Sequence, residues 1–240
     1  MNEFVLYTGC LVQTRLPFLE AAARFILKKL NVKTDDFEGF KCCIEPVGLR
    51  SLGPDTRKAV GAEIHSAASK RKILTLCDGC SMSLSDAGKE LTEAAEVVGI
   101  LEFLHGRLDE IRKKLVTKID FNLALFPGCH CEAACKAKGL SAVDMLSDIV
   151  TALGGKATVL RDNLCCGGGL AAVDTELERN VMNESISSIR NADAIAVVTS
   201  CPFCFLQFDM AGRQTTLHIT ELVASGMGWK EDAHRHHRTK

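Results

Sequence analysis

One pattern of cysteines occurs twice in this chain. Cys10 is followed by the vicinal pair Cys42-Cys43 and then by Cys77-x-x-Cys80. Cys129 is followed by Cys165-Cys166 and then by Cys201-x-x-Cys204. The gaps nearly match: 31 and 35 residues from the single Cys to the pair, 33 and 34 from the pair to the Cys-x-x-Cys. Each set opens on a similar stretch, "LYTGC" and "LFPGC", an apolar run ending in Gly and Cys. The echo extends beyond cysteine. "RKILTLCDGC" parallels "AIAVVTSCPFC", and "VGILEFL" parallels "LHITELV", setting Ile100 opposite Ile219 and Glu102 opposite Glu221. A duplication of this kind divides the chain into domains at 1–116 and 117–240. The charged stretch "RLDEIRKKLVTK" reads as a helix end and connector at the junction, and about the last ten residues as a disordered, His-rich tail.

Both halves predict one plan. A short strand (Phe4–Tyr7; Leu123–Phe126) runs into the Gly-Cys turn. A helix follows: "FLEAAARFILKKL" places Leu19, Ala22, Ala23, Ile26 and Leu30 on one face. Its counterpart "SAVDMLSDIVTALGG" ends in the Gly pair expected at a helix C-terminus. In the later half "KATVLRD" predicts a second strand before the vicinal cysteines. "GPDTRKAVGAEIHSAASK", with a capping Asp or Thr, and "TELERNVMNESISSIRNA" predict partner helices. An apolar strand then enters each Cys-x-x-Cys, followed by a helix and a last strand and helix. Alternating strands and helices predict an α/β fold: two pseudo-symmetric units, each a small, mostly parallel sheet flanked by helices. Every motif cysteine then lies at or just beyond a strand end, the edge where open α/β sheets collect ligands.

Twelve cysteines without an export signal argue for metal or redox chemistry, since disulfides rarely persist in a reducing cytosol. The start "MNEFVLYTGC" lacks the basic residues and apolar length of a signal peptide. No run approaches the roughly 18 apolar residues of a membrane span. A net charge of −1 and pI near 6.6 give no basic footprint for nucleic acid. No Lys-Ser/Thr follows the glycines of "CCGGG", which excludes a Walker loop, and no nucleotide fingerprint is visible, so neither flavin nor NAD is expected on this chain.

Five thiols per half exceed the four ligands of structural zinc. Adjacent thiolates tend to diverge, which suits a cluster whose irons lie several ångströms apart. Iron–sulfur, zinc and a redox dithiol all remain open on spacing alone. Cys165–Gly169 offers backbone N–H groups to anionic sulfide, whereas the first half has "CCIEPVG", so the two sites need not be equivalent.

The stretches "SCPFCFLQFD", "LCCGGG", "FPGCH", "KCCIEP", "LCDGC" and "ITELVASGMGW" resemble the duplicated CCG-domain family. Within it the chain is most similar to the B-type subunit of heterodisulfide reductase, over nearly its whole length. The resemblance implies a non-cubane 4Fe-4S cluster in each half. Cys10, Cys42, Cys43, Cys77 and Cys80 would hold the first, and Cys129, Cys165, Cys166, Cys201 and Cys204 the second, with zinc in one half as the alternative. It implies reductive cleavage of a small-molecule disulfide, the coenzyme M–coenzyme B heterodisulfide or a relative, in the cleft between halves. It further implies a C-type iron–sulfur partner and an A-type flavin partner, and a cytoplasmic subunit peripheral to any membrane module. The alternative is a metal or electron-transfer subunit of another oxidoreductase acting on lactate, glycolate, succinate or sulfur compounds. The chain is shorter than the methanogen subunits, chiefly between Cys80 and Cys129. Cys131 and Cys135 fall outside the motif; their i,i+4 spacing shares a helical face, as idle buried thiols or as an auxiliary redox or ligand pair. His130 beside Cys129 and Glu45 beside Cys43 are candidate proton or hydrogen-bond donors, equally readable as ordinary loop residues.

Overall fold

The computed structural model describes residues 2–39, 41–44, 53–160, 165–171 and 173–230. Glu45 and the His-rich tail lie outside these residues. The first half runs β1 (Phe4–Tyr7), α1 (Cys10–Arg15), α2 (Pro17–Lys29), β2 (Thr34–Asp36), α3 (Pro54–Ala67), β3 (Lys72–Thr75), α4 (Asp78–Gly88), β4 (Val97–Gly99), α5 (Ile100–His105) and α6 (Leu108–Lys113). The second runs β5 (Asn122–Leu125), α7 (Cys129–Ala137), α8 (Ala142–Ala152), β6 (Lys156–Val159), α9 (Thr175–Arg190), β7 (Ala196–Thr199), α10 (Pro202–Ala211), β8 (Thr215–His218) and α11 (Ile219–Gly226).

All pairing between these strands is parallel, in two four-stranded sheets ordered β2-β1-β3-β4 and β6-β5-β7-β8. Phe4 pairs with both Thr34 and Lys72, and Leu123 with both Ala157 and Ala196, so the two sheets share one register plan. The central strands β1 and β7 are buried throughout, as a parallel sheet covered on both faces requires. Strand periodicity then sorts side chains to two faces. Phe4, Leu6, Leu74, Leu123, Leu125 and Val198 enter one large core. Val5, Tyr7 and Ile73 face a smaller cluster on the far side of the first sheet, and Ala124, Phe126 and Val197 a matching one on the second.

The large core draws on both halves. Helix α2 packs on α11, α5 on α8, α4 on α7 and α1 on α10, so helices from each half meet between the sheets. The predicted apolar face of α2 is there: Leu19, Ala22, Ala23, Ile26 and Leu30 are all buried in this core. Phe18 meets Phe205 edge-on across the junction, with ring centroids 5.7 Å apart. Lys138 of the second half donates to the Val97 carbonyl and pairs with Glu102 of the first at 2.6 Å.

The helix ends follow their sequence signals, with one correction. Ser141 and Asp174 cap α8 and α9 through their side chains. The Gly154-Gly155 pair closes α8 as a Schellman motif: Gly155 N–H reaches the Val150 carbonyl and Gly154 N–H the Thr151 carbonyl. The Asp or Thr cap expected for α3 is not used. That helix opens on Pro54 after Gly53, which has φ 91° and no side-chain cap, because Pro at the first position already supplies a helical φ. Strand β2, "TDD", was not expected; it is a short edge strand whose Asp35 and Asp36 pair with Arg71 and Arg24, both at 2.6 Å.

Phe205 is fully buried where the halves meet. Phe205→Ala is expected to lower stability by about 3–5 kcal/mol, and a double-mutant cycle with Phe18→Ala to return a coupling of about 0.5–1.5 kcal/mol. Urea unfolding of the anaerobically purified chain measures both.

Candidate metal centre

In each sheet the chain leaves the first strand, adds the second on one side and the third on the other. The C-terminal ends of three neighbouring strands therefore open onto one site, at the point where the winding reverses. Cys10 is the first residue of α1, just beyond the end of β1. Cys42 and Cys43 lie in the loop after β2. Cys77 is the N-cap of α4 and Cys80 lies one turn inside it. The second half repeats this with Cys129 opening α7, Cys165 and Cys166 after β6, and Cys201 and Cys204 at the start of α10. Helix N-termini favour anionic sulfur at these positions.

The structure brings each set of five together. Cys10 and Cys42 Sγ are 4.0 Å apart, and Cys43 and Cys80 Sγ 3.1 Å. Hydrogen bonding with Cys10 and Cys43 holds Cys42 well below the usual thiol range; the Cys10–Cys42 contact pushes Cys10 up. In the second half, hydrogen bonds from Cys129 and Cys166 lower Cys165, while Cys129 rises. Exposure also repeats. Cys43, Cys77 and Cys80 form a buried floor, as do Cys166, Cys201 and Cys204; Cys10, Cys42, Cys129 and Cys165 form rims open to solvent.

The glycine of "LYTGC" and "LFPGC" has a steric cause. Gly9 and Gly128 adopt φ 80° and 90°, which side chains rarely do. A Cβ on Gly9 would lie 3.0 Å from Cys80 Sγ, and one on Gly128 2.9 Å from Cys204 Sγ. The backbone itself forms one wall of each thiol cradle.

Sequence reasoning missed the groups that hold the vicinal pairs. Ser83 Oγ donates to the Cys43 carbonyl at 2.7 Å, and Gln207, at the equivalent place in α10, donates to the Cys166 carbonyl at 3.4 Å. Ser185 of α9 donates to the Cys165 carbonyl at 2.7 Å. Their distance in sequence from the pairs gave no signal. The glycine expectation was legible: Gly167 N–H donates to Cys165 Sγ at 3.4 Å, and a Cβ on Gly167 would meet the Glu178 carbonyl at 2.6 Å. In the first half Ile44 stands in that place at φ 55°, a strained conformation for a β-branched residue.

Cys131 and Cys135 belong to neither cradle. They lie in the large core, Sγ atoms 4.0 Å apart, where the first half has Val12 and Leu16. His130 Nδ1 is 3.8 Å from Cys129 Sγ. Asp78, inside the first Cys-x-x-Cys, is buried; burial pushes its carboxyl up to about 6, against hydrogen bonds from Ser200 and Cys131. Phe203, inside the second Cys-x-x-Cys, packs against both outer clusters, the one containing Cys43, Cys77 and Cys80 and the one containing Cys166, Cys201 and Cys204. The two cradles are therefore neighbours.

Among the described residues, no group of three or more His, Cys, Asp or Glu side chains is arranged to hold a single metal ion. The donor chemistry of each cradle, five sulfurs with two adjacent in sequence, fits an iron–sulfur group better than one tetrahedral zinc. No helix among the described residues is long and apolar enough to cross a membrane.

A fold of paired parallel sheets with a thiol cradle at each switch point defines a duplicated cysteine-rich protein. The chain belongs to the cysteine-rich domain (CCG) family, whose model matches it twice, at residues 4–85 and 123–209. It is 29% identical to the B-type subunit of the ferredoxin/F(420)H(2)-dependent CoB-CoM heterodisulfide reductase of Methanosarcina acetivorans, over 97% of this chain and 91% of that one. It is 25% identical to the 8-methylmenaquinol:fumarate reductase membrane anchor subunit of Wolinella succinogenes, over 95% of this chain and 93% of that one. A hypothetical protein from Helicobacter pylori has the same fold, with a TM-score of 0.74 at 13% identity; this chain covers 52% of it, and the match spans 99% of this chain.

Gly128→Ala is expected to cost about 1–3 kcal/mol through backbone strain, and to displace Cys204. Alkylation of Cys204 under anaerobic conditions, followed by mass spectrometry, should speed up relative to wild type.

Proposed function

We propose that this chain is the catalytic iron–sulfur subunit of a heterodisulfide reductase-like complex. The observation that carries this reading is the pair of neighbouring five-thiol cradles, each with a buried floor and an open rim, with Phe203 packed against both of the clusters that contain the floors. Cys10, Cys42, Cys43, Cys77 and Cys80 would hold one 4Fe-4S cluster, and Cys129, Cys165, Cys166, Cys201 and Cys204 the other, both of the non-cubane type. The clusters supply one-electron redox equivalents. The reaction is R–S–S–R′ + 2e⁻ + 2H⁺ → R–SH + R′–SH, with electrons from an iron–sulfur partner fed by a flavin subunit.

The chain's own residues do the rest. Gly9 and Gly128 leave room for sulfur, and the Gly167 N–H donates to anionic sulfur at the second site. Ser83, Ser185 and Gln207 fix the vicinal pairs through their carbonyls. The rims leave Cys10, Cys42, Cys129 and Cys165 facing solvent, where an external disulfide can approach. An ordinary dithiol reductase needs one low-pKa thiolate and one partner thiol, which leaves a second set of five without a role. A cytoplasmic subunit, attached to any membrane module through its partners, follows from the same reading. The likeness to the Wolinella fumarate reductase subunit supports a second reading, an electron-transfer subunit for succinate–fumarate chemistry; there both cradles would relay electrons and neither would meet substrate.

Anaerobic metal analysis tests the assignment. About eight irons per chain are expected, with matching sulfide; zinc without iron in either half would sink it. Cys43→Ala and Cys166→Ala are each expected to remove about half the iron and to lower disulfide reduction by more than about 100-fold. Near-normal turnover in either variant with its iron gone would overturn the two-site mechanism. Full iron loading with no reduction of any disulfide would favour the electron-transfer reading.

A further inference from the structure

The two Cys-x-x-Cys turns are joined by a buried polar bridge. Ser200 immediately precedes Cys201, and its Oγ lies 2.8 Å from Oδ2 of Asp78, which immediately follows Cys77. The same hydroxyl lies 3.2 Å from the carbonyl of Pro127, in the turn that leads to Cys129. A hydroxyl has one hydrogen, and the nearer, charged acceptor takes it. The Ser200 carbonyl is held in turn by His218 Nε2 at 2.8 Å. A carbonyl only accepts, so Nε2 carries the hydrogen, and Nδ1 accepts from the Thr220 N–H at 3.3 Å. Asp78, Ser200 and His218 are 3%, 0% and 0% exposed. This is no nucleophilic triad: the imidazole faces the serine carbonyl, not its hydroxyl, and nothing at this depth reaches substrate.

The bridge has no counterpart at the pseudo-symmetric positions. Leu76 occupies the place of Ser200 in the first half, Gly99 that of His218, and Pro202 takes the place of Asp78 in the second. Apolar or small residues therefore satisfy the same backbone. A buried carboxylate between halves costs free energy unless well paired, and its best-attested use is to fix one arrangement of the parts it joins.

We infer that Asp78, Ser200 and His218 are positioning residues that lock the two thiol cradles at one separation, so that a single two-sulfur substrate can address both at once. The inference rests on the proposed reductase reading, but its structural half can be tested without turnover. A rigid link matters because a misplacement of about 1 Å at a reacting centre can cost about 100-fold in rate.

The experiment uses the full-length, iron-loaded chain with its electron-donating partner. Asp78→Ala and Ser200→Ala are each expected to lower kcat for disulfide reduction at least about tenfold, at unchanged KM and unchanged iron per chain. The double variant should be no slower than either single one, because the two side chains act as one unit. Asp78→Asn keeps an acceptor for the Ser200 hydroxyl and should stay within about twofold of wild type. Amide hydrogen exchange in peptides covering residues 198–205 should speed up in Asp78→Ala and not in Asp78→Asn, a change in one half caused by a substitution in the other.

Multiplying effects in the double variant would overturn the bridge. So would loss of iron in Asp78→Ala, which would make Asp78 a support of its own turn alone, or an Asp78→Asn variant as slow as Asp78→Ala. An iron-loaded wild type that reduces no disulfide would end the reductase reading, while the exchange experiment would still decide whether the bridge exists.

Discussion

The structure depends on two places where backbone must lie against sulfur. At Gly9 and Gly128 the chain turns from a buried parallel strand into a helix N-terminus, and a methyl group there would press into Cys80 or Cys204. The positive φ of each glycine aims the next cysteine into the site as the first residue of α1 or α7. The sheet does the remainder. With β2 and β3 on either side of β1, three strand ends meet, and the loops that leave them carry all five thiols to one edge. The Cys-x-x-Cys then spans the N-cap and first turn of α4 or α10, where unsatisfied N–H groups favour anionic ligands. Sulfur is concentrated at the one end of a parallel layer where both loops and dipoles accept negative charge.

A second constraint fixes the sites relative to each other. The apolar faces of α2, α5, α8 and α11 are buried against elements of the opposite half, so neither sheet has a large core of its own. The smaller clusters on the outer faces include the thiol floors among their buried members. Each site is therefore backed by close-packed side chains on one side and by the partner half on the other. Interiors of this density transmit displacement instead of absorbing it. Two sites mounted in this way keep their spacing, as the proposed joint action on one substrate would require.

Much of this was legible in the sequence because the duplication supplied its own control. Reading "LYTGC" against "LFPGC" located the turn that carries the first cysteine of each set, and the Gly pair after "DIVTAL" and the Asp before "TELER" marked helix ends that the structure shows. The strand in "TDD" was not legible, since an edge strand stabilised by Arg71 and Arg24 carries no apolar alternation. Nor was the cap of α3, where proline geometry took the role expected of an Asp or Thr. The depth of contact between the halves was hidden for a different reason. Periodicity tells which face of α2 is apolar, but not that α11, at the far end of the chain, covers it. Ser83, Ser185 and Gln207 act through carbonyls, and a carbonyl acceptor leaves no trace in residue type.

Several differences between the halves lie near the contact of α4 with α7. Cys131 and Cys135 replace the Val12 and Leu16 of the first half, and both lie on α7, the helix that packs on α4. Asp78 is the first residue of α4, and Ser200 and His218 complete its bridge from the second half. On the opposite side, where α1 packs on α10, the contacts are apolar, and Phe205 of α10 also meets Phe18 of α2. The cradles themselves differ in one backbone choice: Gly167 takes its left-handed turn without strain, while Ile44 is forced into it. These differences make the two cradles chemically unequal while leaving the five-thiol sets intact. Inequality of that kind suits a substrate whose two sulfurs carry different groups, and under the proposed reading it is the surroundings of the thiols, not the thiols, that tell one end from the other.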